Sequence, residues 1–132
     1  MKVVLDTNIF ISAFLWTGNP RKVLKRIANG FDELYITDDI LKEIASALSR
    51  KKFNLNIERI NEYLQIIESF SIKLSSKNKY EEISRDKDDN KILQCGIDGN
   101  VDFIITGDND LLVLENYKNI KIIKAKEYLD IV

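Results

Sequence analysis

The apolar residues of this chain fall into short runs and helical stripes that alternate from one end to the other. Val3-Val4-Leu5 is apolar on both faces, as a central strand of a parallel sheet covered by helices must be. The apolar run Ile9 to Leu15 follows and predicts the start of a helix. Thr17-Gly18-Asn19-Pro20 is a turn, with Pro20 placed to open a helix to about Ala28 that closes near Asn29-Gly30. Leu34-Tyr35-Ile36 predicts a second strand. Thr37, Asp38 and Asp39 then supply the N-cap and first-turn acids of a helix to about Arg50, with Ile40, Leu41, Ile44, Ala47 and Leu48 inward.

The second half repeats the pattern. Ile57, Ile60, Leu64, Ile67 and Phe70 recur at helical spacing across Asn56 to Phe70. Ser71 to Leu74 alternates and predicts an edge strand. Ser75 to Lys87 is polar and reads as the longest loop. Arg85 to Lys91 opens a helix that ends at Gly99-Asn100, and Val101 to Thr106 is a strand centred on Phe103-Ile104-Ile105. A short helix begins at Leu111-Leu112, Ile120 to Ile123 is the last strand, and Ala125 to Val132 closes the chain as a helix. Strands alternating with helices throughout predict an α/β fold, a three-layer α/β/α sandwich on a mostly parallel sheet. No repeat, linker or low-complexity segment divides residues 1–132, so one domain is expected. Phe14-Leu15-Trp16, Phe53 and Leu55 read as core, with an interface as the alternative.

Composition removes several chemistries. There is no histidine, which excludes Ser-His-Asp and Cys-His nucleophile systems and histidine-built zinc sites. The one cysteine, Cys95, allows no internal disulfide. No run approaches membrane-spanning length, and Asp6 interrupts the first apolar run too early for a signal peptide, so a cytoplasmic protein is expected. Formal net charge is -1, so phosphate contacts have to come from a local basic patch or from bound metal ions. Any catalysis falls mainly to acids.

Three acids stand at strand or loop ends, Asp6, Asp89 and Asp108, and Glu43 lies on a nearby helix. In a parallel sheet these positions gather at the carboxyl ends of the strands, where ligands of open α/β sheets bind. Clustered carboxylates repel one another, and divalent cations relieve the repulsion while favouring oxygen ligands. Each acid also has an ordinary reading. Asp6 and Asp89 are placed to cap helices, Asp108 sits in a Gly-Asp-Asn-Asp turn, and Glu43 lies on a helix face. Asp110 reads as the N-cap of the short helix that follows. Asp86, Asp88 and Asn90 copy the opening of a calcium loop, but Lys91 replaces its glycine and Ile97 its closing acid, which rules that loop out.

Leu5-Asp6-Thr7-Asn8 after a first strand, the mid-chain helical Glu43, Asp86 to Lys91 opening a helix, and Ile105 to Leu111 after a strand together resemble the PIN-domain nucleases, over essentially the whole chain. Small prokaryotic members classed as toxins of toxin–antitoxin pairs (VapC-like proteins) are the nearest in pattern. The resemblance implies a five-stranded parallel sheet and a Mg²⁺- or Mn²⁺-dependent endoribonuclease. It implies Asp6, Glu43, Asp89 and Asp108 as metal-binding and catalytic acids. It places Asn8 and Thr106 at polar positions around the site, and Asp110 at a frequent extra acid. It also implies a homodimer and a small antitoxin partner. The chain departs from the family pattern at Lys87, where proline is common, and at Cys95-Gly96, where alanine is more usual.

On this reading water, not the RNA 2′-hydroxyl, attacks the phosphodiester, leaving a 5′-phosphate and a 3′-hydroxyl. Arg21, Lys22, Lys25 and Arg26 are candidates to guide the RNA, against the simpler reading of a solvated helix face. Arg50-Lys51-Lys52 reads as charge complementing a helix end. The rival from another class is a non-catalytic RNA- or protein-binding module on the same fold. A phospho-receiver or metal-dependent phosphatase fits less well, because the acids are spread over four elements.

Overall fold

The computed structural model describes residues 1–75 and 87–132. Its sheet contains six strands: β1 (Lys2–Leu5), β2 (Glu33–Thr37), β3 (Ser71–Leu74), β4 (Phe103–Ile105), β5 (Asn116–Tyr117) and β6 (Ile120–Ile123). They lie in the order β3-β2-β1-β4-β6-β5. All neighbours pair in parallel except β5 with β6. The helices are α1 (Thr7–Leu15), α2 (Asn19–Ala28), α3 (Asp38–Leu48), α4 (Ile57–Ser69), α5 (Lys87–Gly99), α6 (Asn109–Leu112) and α7 (Ala125–Ile131). The expected α/β class is observed, with one strand more than the five expected. The extra strand is the short antiparallel β5, joined to β6 by Lys118 and Asn119. Both have positive φ (46° and 68°), as a two-residue type I′ hairpin requires.

The chain leaves β1 towards β2 and β3, then returns to lay β4 and β6 on the other side. The order therefore reverses between β1 and β4, where open α/β sheets form their ligand crevice. Val3, Val4, Leu5, Ile104 and Ile105 at this centre are buried, which accounts for the unbroken apolar runs. Helix α5 packs across β1, β2 and β4, while α1, α2 and α7 pack in sequence and α3 lies against α4. Gly96 of α5 sits directly on β4. A Cβ there would come 3.0 Å from Ile104 Cδ1, so glycine permits the close approach.

Local chemistry sets the helix ends. Thr37 caps α3 by accepting from the Ile40 N–H at 3.3 Å, and Asn56 caps α4 by accepting from the Arg59 N–H at 2.8 Å. Helix α2 ends in a Schellman motif, with Gly30 at φ 84° and bonds from the Phe31 N–H to Arg26 and from the Gly30 N–H to Ile27. At α1 and α3 the ends differ from expectation. Helix α1 starts at Thr7, not Ile9, because Asp6 is its N-cap. Helix α3 stops at Leu48, with Ser49 as its C-cap.

Phe14 and Leu55 pack against the core as expected, and the Phe14 ring lies 4.5 Å from that of Tyr63. Trp16 does not. It follows the last turn of α1 as an extended C-cap, outside that helix's buried stripe, and is 66 % exposed. The expected loop falls largely on residues 76–86, outside the described residues, as do Arg85 and Asp86. Among the described residues no helix is long and apolar enough to cross a membrane.

Two measurements test this packing. The Tyr63 hydroxyl donates to the Phe10 carbonyl at 2.6 Å, tying α4 to α1. Tyr63→Phe removes this bond and is expected to cost about 1 kcal/mol in urea unfolding. Burial pushes the Cys95 thiol up to about 12, with Asp98 adding to the shift. The folded state therefore holds the thiol proton more tightly. This contribution to stability is whole below the unfolded thiol pKa of roughly 8.5 and declines as pH rises above it. Thiol reagents at pH 8 are expected to label the protein only on unfolding.

Candidate active site

The carboxyl ends of β1 and β4 hold the first two acids side by side. Asp6 follows β1, and its N–H donates to the Ile105 carbonyl at 2.9 Å, extending the parallel ladder by one residue. One Asp6 oxygen accepts from the Thr7 N–H and the other from the Thr106 hydroxyl, each at 2.7 Å. Asp6 thus caps α1 and faces the crevice at once. The capping reading and the site position hold together.

Thr106 follows β4 and is fully buried. Its hydroxyl donates to Asp6 and accepts from the Asp108 N–H at 3.0 Å, so one side chain sets the spacing of two acids. Asp108 in turn accepts from the Asp110 N–H at 2.9 Å and is the N-cap of α6. The expectation that Asp110 caps this helix is corrected. The helix starts two residues earlier, at Asn109, which leaves Asp110 in its first turn.

Asp89 comes from the first turn of α5 and is buried, on the same inward side as Ile92 and Leu93. One carboxylate oxygen from each of Asp6, Asp89 and Asp108 can be chosen so that all three lie within 4.8 Å of one another. Glu43 approaches from α3. It accepts from the Thr7 hydroxyl at 2.8 Å and lies 3.7 Å from the Lys91 ammonium. Asp6, Glu43, Asp89 and Asp108 all line one cavity of about 500 Å³, together with Asn8, Lys91, Ser46 and Arg50.

The donors fit a hard divalent cation. They are oxygen only, they converge, and two of the three clustered acids are buried, where uncompensated negative charge is most costly. The other predicted residues separate. Asn8 lines the cavity, and Thr106 sits behind it. Arg21 spends its guanidinium on the Ala13 and Phe14 carbonyls at the end of α1, at 2.8 and 3.0 Å. Arg26 is bound to buried Asp32 at 3.0 Å. Neither these two nor Lys25 lines the cavity. Its cations are Lys91 and Arg50, which the sequence reading did not single out as site residues. Thr7 was also passed over, although it lies inside the Asp-Thr-Asn motif. Thr106→Val is expected to leave the sheet intact while weakening Mn²⁺ binding by roughly 10-fold or more, measured by titration calorimetry.

Known proteins resemble this chain at several levels. An uncharacterised protein of the archaeon Methanocaldococcus jannaschii is 34 % identical over 142 aligned residues, covering 98 % of this chain and 90 % of its own length. Among solved structures, a chain in the crystal structure of VapBC2 from Rickettsia felis, bound to a DNA fragment from their promoter, superposes with a TM-score of 0.64. It covers 92 % of this chain and 97 % of its own at 21 % identity, a likeness of fold. The family description that matches residues 2–110 is that of the PIN domain. That span runs from β1 into α6 and takes in every element that feeds the acid cluster, so the chain belongs to the PIN-domain family.

Proposed function

We propose that the protein is a metal-dependent endoribonuclease, acting as the toxin of a toxin–antitoxin pair. The observation that carries the catalytic half is the convergence of Asp6, Asp89 and Asp108 within 4.8 Å at the β1–β4 crevice. Without histidine, no other group of the described site offers the same acid–base and ligand chemistry. Asp6, Asp89 and Asp108, with Glu43 beside them, would hold Mg²⁺ or Mn²⁺. Such a cation, when bound, lowers the pKa of water and offsets charge on the phosphate oxygens.

The chain's own residues set the geometry in advance. Thr7 and Thr106 fix both oxygens of Asp6, and the Thr7 hydroxyl together with Lys91 fixes Glu43. The carboxylates therefore need little reorganisation when a cation and a phosphodiester arrive. Asn8 is exposed at the cavity and suits a hydrogen bond to the substrate. In the reaction a bond forms between the water oxygen and phosphorus, the bond from phosphorus to the 3′ oxygen breaks, and a proton passes to that oxygen. The products carry a 5′-phosphate and a 3′-hydroxyl.

The toxin role and an antitoxin partner rest on family membership and on the likeness of fold to VapBC2. We carry over a homodimer on the same footing, and keep the single domain and the cytoplasmic setting on the sequence pattern and composition. The test is cleavage of labelled RNA by the purified protein. In Mn²⁺ the wild type is expected to cut, EDTA to stop it, and Asp6→Ala or Asp89→Ala to slow it by on the order of 100-fold or more. Equal cleavage by the variants would mean a contaminant. A folded, metal-saturated protein that cuts none of a diverse RNA set would leave a binding module instead.

A further inference from the structure

The cavity extends beyond the acids along one stripe of α3. Glu43, Ser46, Ala47 and Arg50 all line it. Their spacing of three, four and seven residues places them on a single helix face. Helix α3 ends at Leu48, but Ser49 keeps helical backbone angles (φ -75°, ψ -5°), so Arg50 stays in line with the stripe. At a rise of ~1.5 Å per residue, Arg50 stands ~10 Å along the axis from Glu43. One end of the cavity is acidic and suited to cations. The other end carries a guanidinium.

The cavity's cations are Lys91 and Arg50, and several of the others are engaged elsewhere. Arg21 holds carbonyls of α1, Arg26 holds Asp32, and Lys73 pairs with Asp38 and Glu68. Lys52 lies over the Phe53 ring and Arg59 over that of Phe14. Lys91 is paired with Glu43, at the acidic end. Arg50 enters none of these contacts. Charge complementarity to the end of α3 is equally available to Lys51 and Lys52, which do not line the cavity. A planar guanidinium also offers a phosphate two parallel donors, which an ammonium does not.

We propose that Arg50 binds the phosphate next to the one being cleaved, so that the Glu43–Arg50 stripe of α3 is a backbone-binding subsite for single-stranded polynucleotide. The position of this subsite rests on the nuclease reading. The phosphate contact does not.

Two assays separate these points. In the first, binding of a short labelled single-stranded RNA is followed by anisotropy across a salt series, in an Asp89→Asn background that suppresses cleavage. Arg50→Ala is expected to weaken binding roughly tenfold and to reduce the salt slope by ~0.7, the share of one phosphate contact on a single strand. Arg50→Lys should recover part of the loss. Lys42→Ala, an exposed cation on the same helix outside the cavity, serves as the comparison. In the second, cleavage in Mn²⁺ is measured on the same RNA and on a dinucleotide with a single phosphate. The Arg50→Ala defect is expected in KM more than kcat, and on the longer substrate alone.

Binding by Arg50→Ala within twofold of its parent, or an equal loss in Lys42→Ala, overturns the contact. An equal defect on the dinucleotide overturns the assignment to a neighbouring phosphate. Loss of binding in Arg50→Ala with no cleavage by the wild type overturns the nuclease reading, and with it the subsite's position.

Discussion

Three carboxylates drawn together at the edge of a buried sheet repel one another, and the architecture of this protein is arranged around that repulsion. Asp6 and Asp89 are buried and Asp108 is half-buried, so water screens them poorly. The fold answers with hydrogen-bond donors: the Thr7 N–H, the Thr106 hydroxyl and the Asp110 N–H. It adds one ammonium, Lys91, against Glu43. The donors fix the oxygens without neutralising them. The cluster therefore keeps its negative charge while the surrounding strands keep their register.

The same constraint explains the division of labour among elements. Strands β1 and β4 end at the point where strand order reverses, and each delivers an acid there. Helix α5 crosses above them and adds Asp89, while α3 brings Glu43 from one side. Each acid comes from a different element, so none can be moved without shifting a packed unit of the core. Thr106 joins two of these contributions through one hydroxyl, from a fully buried position.

Much of this was legible in the sequence because it is local. The apolar runs of β1 and β4, the caps at Thr37 and Asn56, and the left-handed Gly30 each follow from a few adjacent residues. The three clustered aspartates were legible because each stands at the end of a recognisable element. Strand β5 was not: it has two residues, and its turn uses Lys118-Asn119 in place of the usual glycine pair. The cationic wall was hidden for a different reason. Arg21 and Arg50 look alike in a helical charge pattern, and only packing decides that one meets the carbonyls of α1 and the other the cavity. Trp16 looked like core because it continues an apolar run, yet α1 ends just before it.

The two margins of the sheet bear on how the protein behaves when concentrated. On one side β5 is too short to template a further strand, and its hairpin turns the margin away. On the other side, among the described residues, β3 presents a longer parallel margin with Ile72 42 % exposed. There Lys73 stands between Ile72 and Leu74, its charge anchored by Asp38 and Glu68. A held lysine on a bordering strand discourages edge-to-edge stacking, because a second copy would have to bury it. Among the described residues, the sheet's one long margin thus carries a charge that edge-to-edge stacking would have to bury, on a different strand from those that end at the acid cluster.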